Sequence, residues 1–188
     1  MGKGNRGIRA TIFFIILLLT APAQAKPAYL SDVVVTNTPN HLIVYFSVND
    51  CFTVEMNRAI ESGIETTFTF YIRLYGKRDY WWDMKVADKE ISHSVKYDNL
   101  KKIYEVRLSE QNNKVISVKD FDEARRLMAD VVAAKVIALR ELKKGGHYQL
   151  KMMAQLDKIR LPLYLHYIFF FLSLWDFETD WYSIDFRY

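Results

Sequence analysis

Apolar and polar side chains alternate with period two over at least four stretches, and no other property of the chain limits its fold as strongly. In 42–48, Leu42, Val44, Phe46 and Val48 oppose Ile43, Tyr45 and Ser47. In 67–75, Phe68, Phe70, Ile72 and Leu74 share one side, opposite Thr67, Thr69, Tyr71, Arg73 and Tyr75. Segment 90–97 sets Ile91, His93, Val95 and Tyr97 against Glu90, Ser92, Ser94 and Lys96; segment 148–156 repeats the pattern from Tyr148 to Leu156. Successive side chains of a strand point to opposite faces, so such alternation predicts strands with one buried face. Further strands are predicted near 29–36, 103–109, 114–118, 135–139 and 164–172.

Two segments follow a helical period instead. Thr53 is a candidate N-cap, with Met56, Ala59 and Ile60 on one side and Gly63 as the stop. Asp120 with Glu123 forms a capping-box spacing, followed by Phe121, Ala124, Leu127, Met128 and Val131 on one face. Both helices are too short to form a layer, so they read as insertions in an antiparallel sheet protein. The run Leu142-Lys143-Lys144-Gly145-Gly146-His147-Tyr148-Gln149-Leu150 has the spacing of a tyrosine corner. There, a tyrosine at the start of a late strand bonds back across a turn. The expected fold is therefore mainly β: an immunoglobulin/fibronectin type III-like antiparallel β-sandwich with two short inserted helices.

The first 25 residues follow a different logic. Lys3, Arg6 and Arg9 precede the apolar run Thr11–Thr20, then Pro22 and the small-residue site Ala23-Gln24-Ala25. This order reads as a secretory signal peptide. The run is about half the roughly 20 residues a spanning helix needs, so an uncleaved anchor is the weaker reading. No cysteine stands at the junction to carry a lipid. We expect 1–25 to be removed and 26–188 to form one exported domain, periplasmic or associated with a membrane surface. Of 26 Lys and Arg, the leader takes three, leaving 23 against 22 acids. That near-neutral body gives no electrostatic reason to expect a nucleic-acid partner.

The chemistry-bearing residues are few. Cys51, the one cysteine, cannot form an internal disulfide; it reads as a small buried apolar residue, with pairing to another protein as the alternative. The four histidines are well separated in sequence and form no ligand cluster, and His93, on the apolar side of its strand, reads as a hydrogen-bonded core residue. Ser92 and Ser94 point away from it, and no nucleophile elbow or phosphate-binding glycine array is present. No catalytic residue is assigned. Asp176, Glu178 and Asp180 present alternating carboxylates that suit Ca²⁺ as a minor alternative; keeping an aromatic segment solvated is the simpler role.

That aromatic concentration is the most distinctive feature. Tyr80-Trp81-Trp82 forms one cluster; the other spans 161–188, with Phe169-Phe170-Phe171, Trp175, Trp181 and the alternating Tyr182, Ile184, Phe186 and Tyr188. The latter alternation is similar to the last strand of an outer-membrane barrel, but two inserted helices argue against a barrel. Trp81, Trp82 and Trp181 are the candidate partner-binding residues.

Several motifs occur in a telling order: Ala59-Ile60-x-Ser62-Gly63-Ile64, Phe68-x-Phe70, Trp81-Trp82-Asp83, Tyr97-x-x-Leu100-x-x-x-Tyr104, Leu156-Asp157, Leu161-Pro162, Trp175 and Asp180-Trp181. Together they resemble a family of exported proteobacterial proteins classed as a domain of unknown function. The resemblance covers nearly all of 30–186 and implies export and a single domain; it supplies no activity or catalytic residue. The expected role is a non-enzymatic binding or scaffolding module of the cell envelope, its partner an envelope protein or membrane surface. The alternative is an envelope hydrolase assembled around His93 with nearby acids such as Asp83 or Asp98.

Overall fold

A computed structural model describes residues 27–78, 82–157 and 178–188. Among the described residues the alternating segments form nine strands: β1 (Tyr29–Asn37), β2 (His41–Asn49), β3 (Thr66–Gly76), β4 (Met84–Asp98), β5 (Ile103–Leu108), β6 (Lys114–Val118), β7 (Asp130–Ala138), β8 (His147–Leu156) and β9 (Tyr182–Arg187). They build two antiparallel sheets, ordered β1-β2-β7 and β6-β5-β4-β3-β8-β9. The predicted apolar rows of β2, β3, β4 and β8 are the buried ones. Phe46 of the small sheet meets Phe70 of the large sheet edge-on, ring centres 5.7 Å apart. Side chains from both sheets and both helices share one hydrophobic cluster.

The helices are fixed by local chemistry. In α1 (Val54–Glu61), the Thr53 hydroxyl accepts the Met56 N–H, and Met56, Ala59 and Ile60 are buried. The stop is a Schellman turn: Gly63 N–H donates to Ile60 and Ile64 N–H to Ala59, with Gly63 at φ +83°. In α2 (Phe121–Ala129), the Asp120 carboxylate accepts from the Asp122 and Glu123 amides. The expected helical face ran on to Val131, but α2 ends at Ala129 and Val131 belongs to β7, opposite Phe46. Strand pairing with β2 claims the chain directly after the helix. The strand expected at 135–139 accordingly starts at Asp130. The one expected at 164–172 lies outside the described residues. The alternation from Tyr182 forms β9, which is the end strand of the six-stranded sheet among the described residues. No helix among the described residues is long and apolar enough to cross a membrane.

The corner at β8 has the expected bond. The buried Tyr148 hydroxyl accepts the Lys143 N–H at 2.8 Å, across the Gly145-Gly146 turn. A Cβ on Gly146 would stand 2.8 Å from both the Lys143 carbonyl and the Tyr148 ring, so the close pass of ring over backbone requires glycine there. Tyr148→Phe should lower unfolding free energy by about 1 kcal/mol, because it removes one hydrogen bond and keeps the ring. Urea denaturation measures this, and unchanged stability would sink the corner's energetic role.

Candidate functional site

The outward row of β3 carries Tyr71, Arg73 and Tyr75, and the neighbouring strands complete a surface around them. Before β9, Glu178 is bridged to Gln155; Thr179 donates its N–H to Ala154 O and accepts the Ala154 N–H on its hydroxyl. From Tyr182 opposite Met152, the register has advanced by one residue. Asp180 and Trp181 together therefore oppose Met153, a bulge that re-aims the side chain of Trp181. Its ring covers the Arg73 guanidinium, Cζ 4.7 Å from the ring centre, with Tyr71 on the same group at 5.9 Å. Each such stack contributes about 0.5–1 kcal/mol at an exposed site.

Charge fixes the guanidinium from another direction. Arg73 Nε lies 3.4 Å from Asp88 Oδ1, and Lys85 Nζ lies 2.6 Å from Oδ2. The Lys85 hydrogen bond, helped by both positive charges, holds the Asp88 carboxyl below the usual carboxylate range. One residue along the row, Lys151 Nζ stands 5.5 Å from the Tyr75 ring centre. Trp181 remains 38% exposed. The result is an oriented aromatic–cation surface, able to stack a planar or apolar group and to donate hydrogen bonds to an acceptor.

Of the two predicted partner-binding residues that are described, Trp82 and Trp181, Trp181 is in this arrangement. Trp82 is 86% exposed on the β3–β4 connection, whose base is held by Lys77 N–H to His147 O and by Lys77 Nζ to Asp83 at 3.0 Å. That base is four β3 residues beyond the level of Tyr182, about 13 Å along the strand. Trp81 lies outside the described residues, as does Asp176. Glu178 and Asp180 are exposed, and among the described residues no three His, Cys, Asp or Glu side chains converge on a metal position.

His93 belongs to the interior, with no exposed surface. A carbonyl oxygen can only accept, so Nδ1 donates to Met128 O at 3.1 Å, and Nε2 bonds Glu110 Oε2 at 3.0 Å. The Phe70 ring meets the imidazole edge-on at 4.9 Å. Asp83 and Asp98 are engaged elsewhere: Asp83 with Lys77, Asp98 with Lys101 and the amides of Leu100 and Lys101. An enclosed ring cannot reach a substrate in this conformation. Sequence reasoning missed Glu110, in the turn after β5, and Arg73. Arg73 carried a usable signal, as the charged residue in the aromatic outward row of an otherwise neutral strand.

Cys51 is buried at the end of β2, its thiol donating to Val48 O at 3.3 Å. Burial pushes its pKa up to about 12. The nucleophilic thiolate is thus scarce at neutral pH. A maleimide or disulfide reagent at pH 8 should label the folded protein at least about 100-fold more slowly than the protein in urea. Equal rates would mean the thiol is accessible.

These features define a class: a two-sheet antiparallel β protein with a buried imidazole–carboxylate pair and an exposed aromatic–cation surface. Residues 25–185 match the family model of a domain of unknown function, DUF4390, and the chain belongs to that family. No curated protein and no solved structure matches it.

Proposed function

We propose that this protein is an exported, non-enzymatic binding module of the cell envelope, using the surface around Trp181 to hold a partner. The observation that carries the reading is the stack of Trp181 on Arg73 and Tyr71: a large ring, well exposed, oriented by a bulge and placed outside the core. Rings of this kind supply much of the energy at protein interfaces. The fold supports a recognition role by analogy. β1, β2 and β7 take the places of strands A, B and E of an immunoglobulin-type sandwich, and β3, β8 and β9 those of C, F and G. β4 and β5 then extend the sheet as C′ and C″, and Tyr148 sits at the E–F corner. β6 departs from the scheme by pairing with β5.

Export rests on the basic start, apolar run and Ala23-Gln24-Ala25 site of the leader, and the family match begins only at residue 25. One test addresses both halves of the proposal. The protein is recovered from intact envelopes with a photocrosslinker at position 183, exposed on the same face in line with Arg73, and its intact mass is measured. We expect a mature chain starting at Lys26 and a crosslinked partner whose yield falls several-fold with Arg73→Ala. Trp181→Ala should leave thermal unfolding nearly unchanged. A retained Met1 refutes cleavage; unfolding by Trp181→Ala makes the ring core and removes the binding surface.

A further inference from the structure

A second surface lies on the opposite side of β4 from β3. β4 pairs with β3 from Met84 to Val95, but with β5 only from His93 to Asp98. Among the described residues, 84–92 thus has a long unpaired edge. The direction of its backbone groups follows from one bond. Ser92 N–H points to that edge, where Ser109 Oγ accepts it at 2.8 Å. Backbone groups of alternate residues point the same way, so those of Asp88 and Glu90 also face the open edge.

β7, the end strand of the small sheet, stands across from this edge. The two line a cavity of about 480 Å³ with an apolar floor at Val136 and Ile137. A neighbouring cavity of about 340 Å³ shares His41, Ala138 and Arg140 with it and prolongs it past the end of β7. The rim is cationic. Lys89, Lys135 and Arg140 line the groove, and none of them is in an ion pair among the described residues. Of the two acids on the lining, Asp88 is already matched by Arg73 and Lys85, leaving Glu141.

We propose that this groove binds an extended acidic segment of another protein by strand addition to β4, in line with β5. The segment's backbone pairs with Asp88 and Glu90, its groove-facing side chains are acidic and meet Lys89, Lys135 and Arg140, and its alternate apolar side chains lie on the outer face of the sheet. About six residues, roughly 20 Å, cover the edge. A second copy of this chain is a poorer occupant. Antiparallel self-pairing centred on Asp88 sets two carboxylates opposite each other, and pairing centred on Lys89 sets two lysines opposite each other. This site shares Asp88 with the Trp181 surface but uses its backbone rather than its carboxylate, so neither reading requires the other.

The test uses the full-length protein and two capped hexapeptides, one alternating glutamate with valine and one alternating lysine with valine. We expect the glutamate peptide to bind at least about tenfold more tightly, with affinity falling as salt rises. Hydrogen exchange at the Asp88 and Glu90 amides should slow at least about tenfold on its addition. The exposed pair Lys89→Glu with Lys135→Glu should weaken it at least about tenfold without changing the circular dichroism spectrum. Equal binding of the lysine peptide, no binding of the glutamate peptide, or binding that leaves both amides exchanging at their free rate overturns the proposal.

Discussion

His93→Leu should cost about 3–5 kcal/mol of unfolding free energy, the range for breaking a buried pair by removing one partner. The imidazole has no exposed surface, and it ties three elements together: β4, which bears it, α2 through Met128 O, and the turn after β5 through Glu110. Leucine restores none of those bonds. Glu110 is poorly placed to tolerate the loss, since its other oxygen, Oε1, is buried without a hydrogen-bond partner among the described residues. Oε2 would then join it, and the Met128 carbonyl would lose its donor.

Two companions separate the pair from the space it fills. Glu110→Gln retains a hydrogen-bonding side chain facing Nε2 and should cost less than His93→Leu. The double variant His93→Leu, Glu110→Met removes both polar partners and should regain much of the loss, because an apolar replacement leaves less buried polarity unsatisfied. Urea unfolding with unchanged m-values is the measurement. A cost below about 1 kcal/mol for His93→Leu would show that the network contributes little.

Alternation revealed much of the sheet structure in advance because burial of one face imposes a strict period of two. Thr53, Gly63 and Asp120 were legible for a related reason: capping is a local hydrogen-bond problem solved within a few residues. The end of α2 was not. Val131 satisfies both a helical and a strand spacing, and its place is decided by Phe46, far away on β2. Nothing in Ala129-Asp130-Val131 breaks a helix, so a tertiary pairing sets the boundary.

The sites show the same division. His93 could be assigned to the interior from its strand face, but Glu110 lies in a turn with no periodic signal. Trp181 drew notice by its chemistry, whereas its direction depends on the bulge at Asp180-Trp181, visible only once Thr179 is paired with Ala154. Residue type groups Trp82 with Trp181; the register places them at different levels of the sheet. Residue type identifies candidates, while the shared geometry comes from pairings between distant segments.

Phe70→Ala is the second large effect, expected at about 3–5 kcal/mol, as for a large aromatic ring removed from a packed core. Phe70 is fully buried and touches Phe46 across the sheets at 5.7 Å and His93 along its own sheet at 4.9 Å. Its loss opens a cavity where the two layers meet, and it also frees one side of the imidazole that holds α2. The two large effects should therefore be coupled. In a double-mutant cycle of Phe70→Ala with His93→Leu, the combined loss should differ from the sum of the single losses by more than about 0.5 kcal/mol. Phe46→Ala provides the contrast, touching Phe70 on its other side; its coupling to Phe70→Ala tests the contact between the sheets. If Phe70 and His93 behave additively, the ring and the imidazole act as independent core residues, and stability is not transmitted from the inter-sheet contact to α2 through their packing.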